Sequence, residues 1–329
     1  MMLDDLIGAR LVVGIPGLEA TDAVIAHLRE IRAQSLIVFE RNFKSVEQFR
    51  ALLRGLDTAL GYRLLVMVDH EGGRVVRFRE GATRFPDAMT VGQTQSPEAV
   101  ERQGAVEAEE LRRLGVHVNL APCVDVFVPG SDPVIGDRAY GSDPAQVSAF
   151  GAARIRGLQS GGVAACAKHF PGLGAVTRDP HKTLPTISLD GQAMETAHLP
   201  PFRAAIEAGV ATVMSSHVCY PGWGEPPGRP ATFSPRLIRE VLRGALGFSG
   251  PILTDDLEMG ALRAFGTVGE AAVRATEAGH DLLLICSDLP AQKEALAALR
   301  AAYRSGRLER GELEASVEQI ARLKENFLP

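Results

Sequence analysis

Val163-Ala164-Ala165-Cys166-Ala167-Lys168-His169-Phe170 is followed at once by Pro171-Gly172-Leu173-Gly174. An unbroken apolar run that ends in a lysine and a histidine, and then breaks at Pro and Gly, reads as a strand buried on both faces. A parallel sheet requires such strands. The same grammar recurs on either side. Apolar, β-rich runs lie at 11–15, 35–40, 64–69, 117–122, 163–170, 211–217, 251–255 and 281–287, each followed by a loop and a helical pattern. The helices are punctuated legibly. Ser234 is placed to N-cap, Pro235 fits the first turn, Leu237, Ile238, Val241 and Leu242 form one stripe, and Gly247 stops the helix. A second stripe, Val100, Val106, Leu111 and Leu114, ends at Gly115.

Eight β-then-α units at spacings of roughly 25–50 residues predict an α/β fold, a single (β/α)8 barrel of the TIM type. A doubly wound open sheet is the rival, but Gly14-Ile15-Pro16-Gly17 is a poor phosphate loop after a first strand. No linker or repeat divides the chain, so residues 1–329 read as one domain closed by a helix near 311–326.

Composition narrows the function. The 329 residues are 46% hydrophobic and 23% charged, with net charge −5, an ordinary globular balance. Without a basic run, neither nucleic acid nor an anionic membrane is an expected partner. Met1 to Gly8 carries Asp4 and Asp5 instead of a basic stretch and does not read as a signal peptide, and no apolar run approaches membrane length. Four dispersed cysteines, Cys123, Cys166, Cys219 and Cys286, read as buried reduced thiols. The expected location is the cytoplasm.

In such a barrel, chemistry sits at the C-terminal ends of the strands. Six runs end in polar groups: Asp69, Asp125 just after the fourth, Lys168-His169, Ser216-His217, Asp255-Asp256 and Ser287-Asp288. A charge at the end of an apolar strand is expensive to bury unless it is paired or used. Any one of these aspartates serves equally well as a helix cap. In the Gly- and Pro-rich loop after Phe170, Asp179 and His181 stand two apart around Pro180. An Asp-paired histidine is held in one tautomer and suits acid/base work near neutral pH, or it staples a loop. Asp255, in Thr254-Asp255-Asp256-Leu257, suits a nucleophilic carboxylate, with one of the pair available as a cap. His169, His217, Cys166 and Cys219 are the candidates for a metal, but no HxH, HExxH or CxxC spacing occurs. Strand alternation also turns Cys166 and His169 to opposite sides of their strand, unless the strand has already ended. No metal and no cofactor are expected.

Val68-Asp69-His70-Glu71-Gly72-Gly73-Arg74-Val75, Ile135-Gly136-Asp137-Arg138, Lys168-His169-Phe170-Pro171-Gly172, Asp179-Pro180-His181 and Thr254-Asp255-Asp256-Leu257 stand in the order found in glycoside hydrolase family 3. The sequence most resembles that family's single-domain β-N-acetylglucosaminidase branch, which acts on peptidoglycan fragments in cell-wall recycling. The resemblance implies a retaining exo-β-N-acetylglucosaminidase acting on a small carbohydrate. It makes Asp255 the nucleophile, His181 the general acid/base and Asp179 its partner, with Asp69, Arg77, Arg138, Lys168 and His169 binding the terminal sugar. A family β-glucosidase, a glycosyl phosphorylase and a non-catalytic sugar-binding barrel are the alternatives. Two positions depart from the family pattern: Leu173 replaces a histidine, and Pro180 a serine. Pro180 fixes φ and removes an N–H, which puts the geometry of the acid/base loop in question.

Overall fold

The computed structural model describes residues 2–328. Its strands are β1 (Leu11–Val13), β2 (Ser35–Val38), β3 (Leu65–Val68), β4 (Val118–Asn119), β5 (Ala164–Phe170), β6 (Thr212–Ser215), β7 (Ile252–Thr254) and β8 (Leu283–Ile285). All pair in parallel, each with its sequence neighbour, and β1 also pairs β8 with Val12 opposite Leu284. The ring closes through a parallel bridge between Leu253 and Leu282, with the Thr254 N–H donating to the Leu282 carbonyl at 3.0 Å. Closure leaves no free edge, so the chain is a (β/α)8 barrel and the open-sheet rival is excluded.

Two layers of apolar packing follow from strand alternation. Inward residues such as Val12, Ile37, Met67, Val118, Cys166, Met214, Leu253 and Leu284 fill the barrel. Outward residues pack on the helical ring. The helix Arg310–Phe327 places Ile320 and Leu323 in the inner cluster, so it plugs the N-terminal end of the barrel. The opposite end is left for loops. All four cysteines are buried and free. Among the described residues, no helix is long and apolar enough to cross a membrane.

The helix signals behave as their chemistry requires. Ser234 accepts from the Leu237 N–H at 3.0 Å, ahead of the helical segment Arg236–Ala245, and Gly247 takes φ +69° just beyond it. The helix Pro97–Leu114 starts after capping Ser96 and ends at Gly115. Its buried stripe is Val100, Gln103, Gly104, Glu107, Ala108, Leu111 and Leu114, while Val106 is 47% exposed. Val106 was expected in that stripe. It lies on the solvent side because the 3.6-residue period carries the stripe through Glu107, a charged residue that the tertiary fold buries against Arg154.

Candidate active site

The C-terminal ends of the strands surround a cavity of about 290 Å³, lined by side chains from seven barrel segments. That is the small end of the range for ligand pockets, room for about one sugar ring. Asp69, Arg77, Arg138, Lys168, His169, His181 and Asp255 all line it, and Asp179 stands behind His181.

Lys168 organises one wall. Its Nζ lies 2.6 Å from Asp69 Oδ1 and 2.6 Å from Glu71 Oε1, and its side chain is only 2% exposed. Glu71 also takes a two-pronged contact from Arg138, Nε to Oε2 and Nη2 to Oε1, both at 2.8 Å. Burial pushes the Glu71 carboxyl up, but Arg138 and Lys168 outweigh it and hold the group well below the usual carboxylate range. Burial likewise works against charge on Lys168, and Asp69 and Glu71 reverse that and raise its pKa. The result is a fixed array of two cations and two carboxylates, of the donor and acceptor types that vicinal hydroxyls need. Arg77 Nη2 stands 4.0 Å from Asp69 Oδ2, and its buried Nε has no partner in the protein. A ligand oxygen would satisfy that donor.

His169 reaches the same cavity although it directly follows Lys168. Register between β5 and β6 slips between Lys168 and Phe170, so strict alternation ends there. Its Nδ1 lies 2.7 Å from Asp125 Oδ2, and Nε2 lies 3.4 Å from Arg138 Nη2. A carboxylate at one nitrogen and a guanidinium at the other assign the proton to Nδ1. Asp125 is fully buried, and it also accepts from the backbone N–H groups of His169 (3.2 Å) and Leu173 (2.5 Å) and from Cys123 Sγ (3.2 Å). Burial raises the Asp125 carboxyl, and His169, Leu173 and Cys123 bring it below its ordinary value.

Among the described residues, Cys123, Asp125 and His169 are the metal-type donors that approach one another within 4.8 Å; of the candidates His169, His217, Cys166 and Cys219, only His169 belongs to that group. Cys166 points into the barrel interior instead.

Asp255 follows β7. Burial pushes its carboxyl up, but His169, His217, the Asp256 N–H at 2.8 Å and Lys168 bring it below the normal value, so it is ionised at neutral pH. His217 lies 3.0 Å from the Asp256 carbonyl through Nε2 and pins the backbone just past Asp255. Asp256 behaves oppositely: burial and the neighbouring Glu258 lift its pKa to about 7. Asp179 Oδ1 accepts from the His181 N–H at 2.9 Å and meets His181 Nδ1 at 2.7 Å, leaving Nε2 for the cavity. Burial raises the Asp179 carboxyl, and these bonds to His181 overcome it.

Leu173 and Pro180 leave these groups in place. The Leu173 side chain is buried in the core while its N–H holds Asp125, and the Pro180 carbonyl accepts from the Ala261 N–H at 3.0 Å. Not every polar strand end serves the cavity. Asp288 caps the helix Leu289–Arg304, with its backbone N–H held by Glu258.

Sequence reading missed Glu71, although it stood inside a quoted motif, because its role rests on partners 67 and 97 residues away. Asp125 showed only as a strand-following carboxylate. Asp256 was visible as the possible cap of the Asp255-Asp256 pair and His217 as a possible metal ligand; the structure instead sets His217 Nε2 on the Asp256 carbonyl and the Asp256 carboxylate on the Cys286 N–H.

A sugar-sized polar cavity at the C-terminal mouth of a closed (β/α)8 barrel, with paired carboxylates and an Asp-held histidine, defines a glycoside hydrolase barrel. The chain belongs to glycosyl hydrolase family 3: the model described as "Glycosyl hydrolase family 3 N terminal domain" matches residues 3–323. A beta-hexosaminidase of Methylobacillus flagellatus is 36% identical over 296 residues, covering 88% of this chain and 84% of that protein. The structure of a family 3 beta-N-acetylglucosaminidase from Paenibacillus sp. str. FPU-7 superposes with a TM-score of 0.96 at 38% identity. It covers all of this chain, which spans 63% of the Paenibacillus protein. NagZ of Neisseria gonorrhoeae, solved in complex with N-trifluoroacetyl-D-glucosamine, gives a TM-score of 0.79 at 31% identity, covering 96% of this chain and 98% of that one.

Proposed function

We propose that the chain is a retaining exo-β-N-acetylglucosaminidase whose residues 1–329 form one catalytic barrel domain. The observation that carries this reading is the pairing, on one small cavity, of an ionised Asp255 with a histidine whose Nδ1 is held by Asp179. The beta-hexosaminidase relatives and the N-trifluoroacetyl-D-glucosamine complex of the gonococcal protein support the N-acetylhexosaminide class. A cavity for about one ring, walled by Lys168, Glu71 and Arg138, supports removal of a terminal residue.

In this mechanism Asp69, Arg77, Arg138, Lys168 and His169 hold the terminal sugar. Asp255 attacks the anomeric carbon while the glycosidic C–O bond breaks, and His181 Nε2 gives its proton to the departing oxygen. Water then attacks the glycosyl–Asp255 ester, His181 takes a proton from it, and Asp255 leaves as the carboxylate. Asp179 keeps the imidazole oriented and supports its charged form. The natural substrates are N-acetylglucosamine-terminated fragments of peptidoglycan, cleaved in the cytoplasm, a compartment that suits four free buried thiols.

Hydrolysis of a panel of aryl β-glycosides, with and without phosphate, tests the reading. Preferential turnover of the N-acetylglucosaminide by water is expected. Preference for the glucoside, phosphate-dependent turnover, or no turnover with retained sugar binding would replace it with one of the alternatives.

A further inference from the structure

We propose that Gly260 is the positioning residue that sets the acid/base loop against the nucleophile loop; this rests on the reading of His181 as the acid/base. The His181 imidazole is 62% exposed, so packing of its own side chain does little to fix it. What holds the segment is backbone. The Gly260 N–H donates to the His181 carbonyl at 3.2 Å, and the Ala261 N–H donates to the Pro180 carbonyl at 3.0 Å. Upstream, the same loop is tied to the β4 side, where the Val128 N–H reaches the Gly174 carbonyl and the Asp132 N–H the Val176 carbonyl. The Asp179–His181 segment is thereby hung on the loop that begins with Asp255, only five residues before Gly260. Two backbone hydrogen bonds thus join the segment carrying the proton donor to the loop carrying the nucleophile.

The close approach is possible only for glycine. A Cβ at residue 260 would lie 2.5 Å from the His181 carbonyl oxygen, 2.8 Å from that of Lys182 and 3.0 Å from the Lys182 carbonyl carbon, all of them backbone atoms with no flexible end to swing away. Gly260 lies outside the left-handed φ region, so alanine is compatible with its own backbone and the clash is the sole objection. Relieving it moves the loop by about 0.5–1 Å, and a misplacement of about 1 Å costs on the order of 10²-fold in rate. Gly260 does not itself line the cavity, and the first atom a Cβ there would meet is the His181 carbonyl oxygen.

The test compares Gly260→Ala, His181→Ala and the double variant on two N-acetylglucosaminides, a disaccharide with a basic leaving oxygen and a dinitrophenyl glycoside that needs no proton. For Gly260→Ala we expect about a 100-fold loss on the disaccharide, a dinitrophenol burst unchanged within about twofold, and no added loss in the His181→Ala background. The burst doubles as the check that Asp255 and the fold are intact. Ala261→Pro, which deletes the N–H reaching Pro180, carries the same readout and decides the matter where Gly260→Ala does not fold. Equal losses on both substrates, additive losses in the double variant, or no loss would overturn the assignment while leaving His181 its role. A flat leaving-group response of His181→Ala itself would overturn the acid/base reading, and the positioning role with it.

Discussion

Replacing Glu71 by Gln keeps the shape of the side chain and removes the charge that joins Lys168 to Arg138. In the native site this carboxylate accepts at 2.6 Å from Lys168 and at 2.8 Å twice from Arg138, and its side chain is 7% exposed. Removing one partner of a buried ion pair costs about 3–5 kcal/mol. Lys168 retains Asp69 at 2.6 Å, which places the expected loss near the lower end, about 3 kcal/mol. At about 2 °C per kcal/mol for a chain of this size, the melting temperature should fall by about 6 °C.

The sign of the pH dependence follows from the depressed carboxyl pKa. The contribution is fully present above the unfolded value of about 4.3 and is lost as pH falls through the lower folded value. The gap between wild type and Glu71→Gln should therefore be level between pH 5.5 and 8, within about 1 °C, and close only in strong acid. Kinetically, Lys168 and Arg138 lose their fixed presentation to the sugar, so kcat/KM on an aryl N-acetylglucosaminide should drop at least about tenfold, or 1.4 kcal/mol. Scanning calorimetry across pH and steady-state kinetics read both effects. A melting temperature within about 2 °C of wild type, together with kcat/KM within about twofold, would refute the view that Glu71 clamps the site.

Three further outcomes are expected. Asp255→Ala should abolish turnover while leaving the fold intact, and a dead Asp256→Ala beside an active Asp255→Ala would show that the wrong carboxylate was chosen. His181→Ala should slow glycosylation by about 10²–10⁴-fold for basic leaving groups and hardly at all for nitrophenolates, with Asp179→Ala showing the same trend more weakly; pre-steady-state rates over graded leaving groups decide it. For Asp256, whose folded pKa is raised to about 7, ionisation destabilises the fold as pH rises from about 4 through 7. Asp256→Asn should thus gain in melting temperature over wild type between pH 5 and pH 8, and a pH-independent difference would contradict the raised value.

The barrel was legible because its signals are local. Each strand announces itself by an apolar run and each helix by a cap such as Ser96 or Ser234, and those interactions span three or four residues. The charged strand ends that line the cavity were legible for a similar reason: Asp69, Lys168-His169 and Asp255 are charges abutting apolar runs, where an unpaired charge is expensive to bury. The sequence by itself also determined the Asp179–His181 pair, since two residues around a proline are neighbours in any fold. Only the tertiary structure decided the rest. The Glu71 clamp joins segments 67 and 97 residues apart, and the slip that brings His169 to the cavity beside Lys168 arises from pairing with β6. Asp125 became the support of His169, and Asp288 a helix cap, according to where each strand end met its neighbours. Gly260 matters through two carbonyls about 80 residues earlier in the chain. Local periodicity carries no distances between segments so far apart; closing the barrel supplies them.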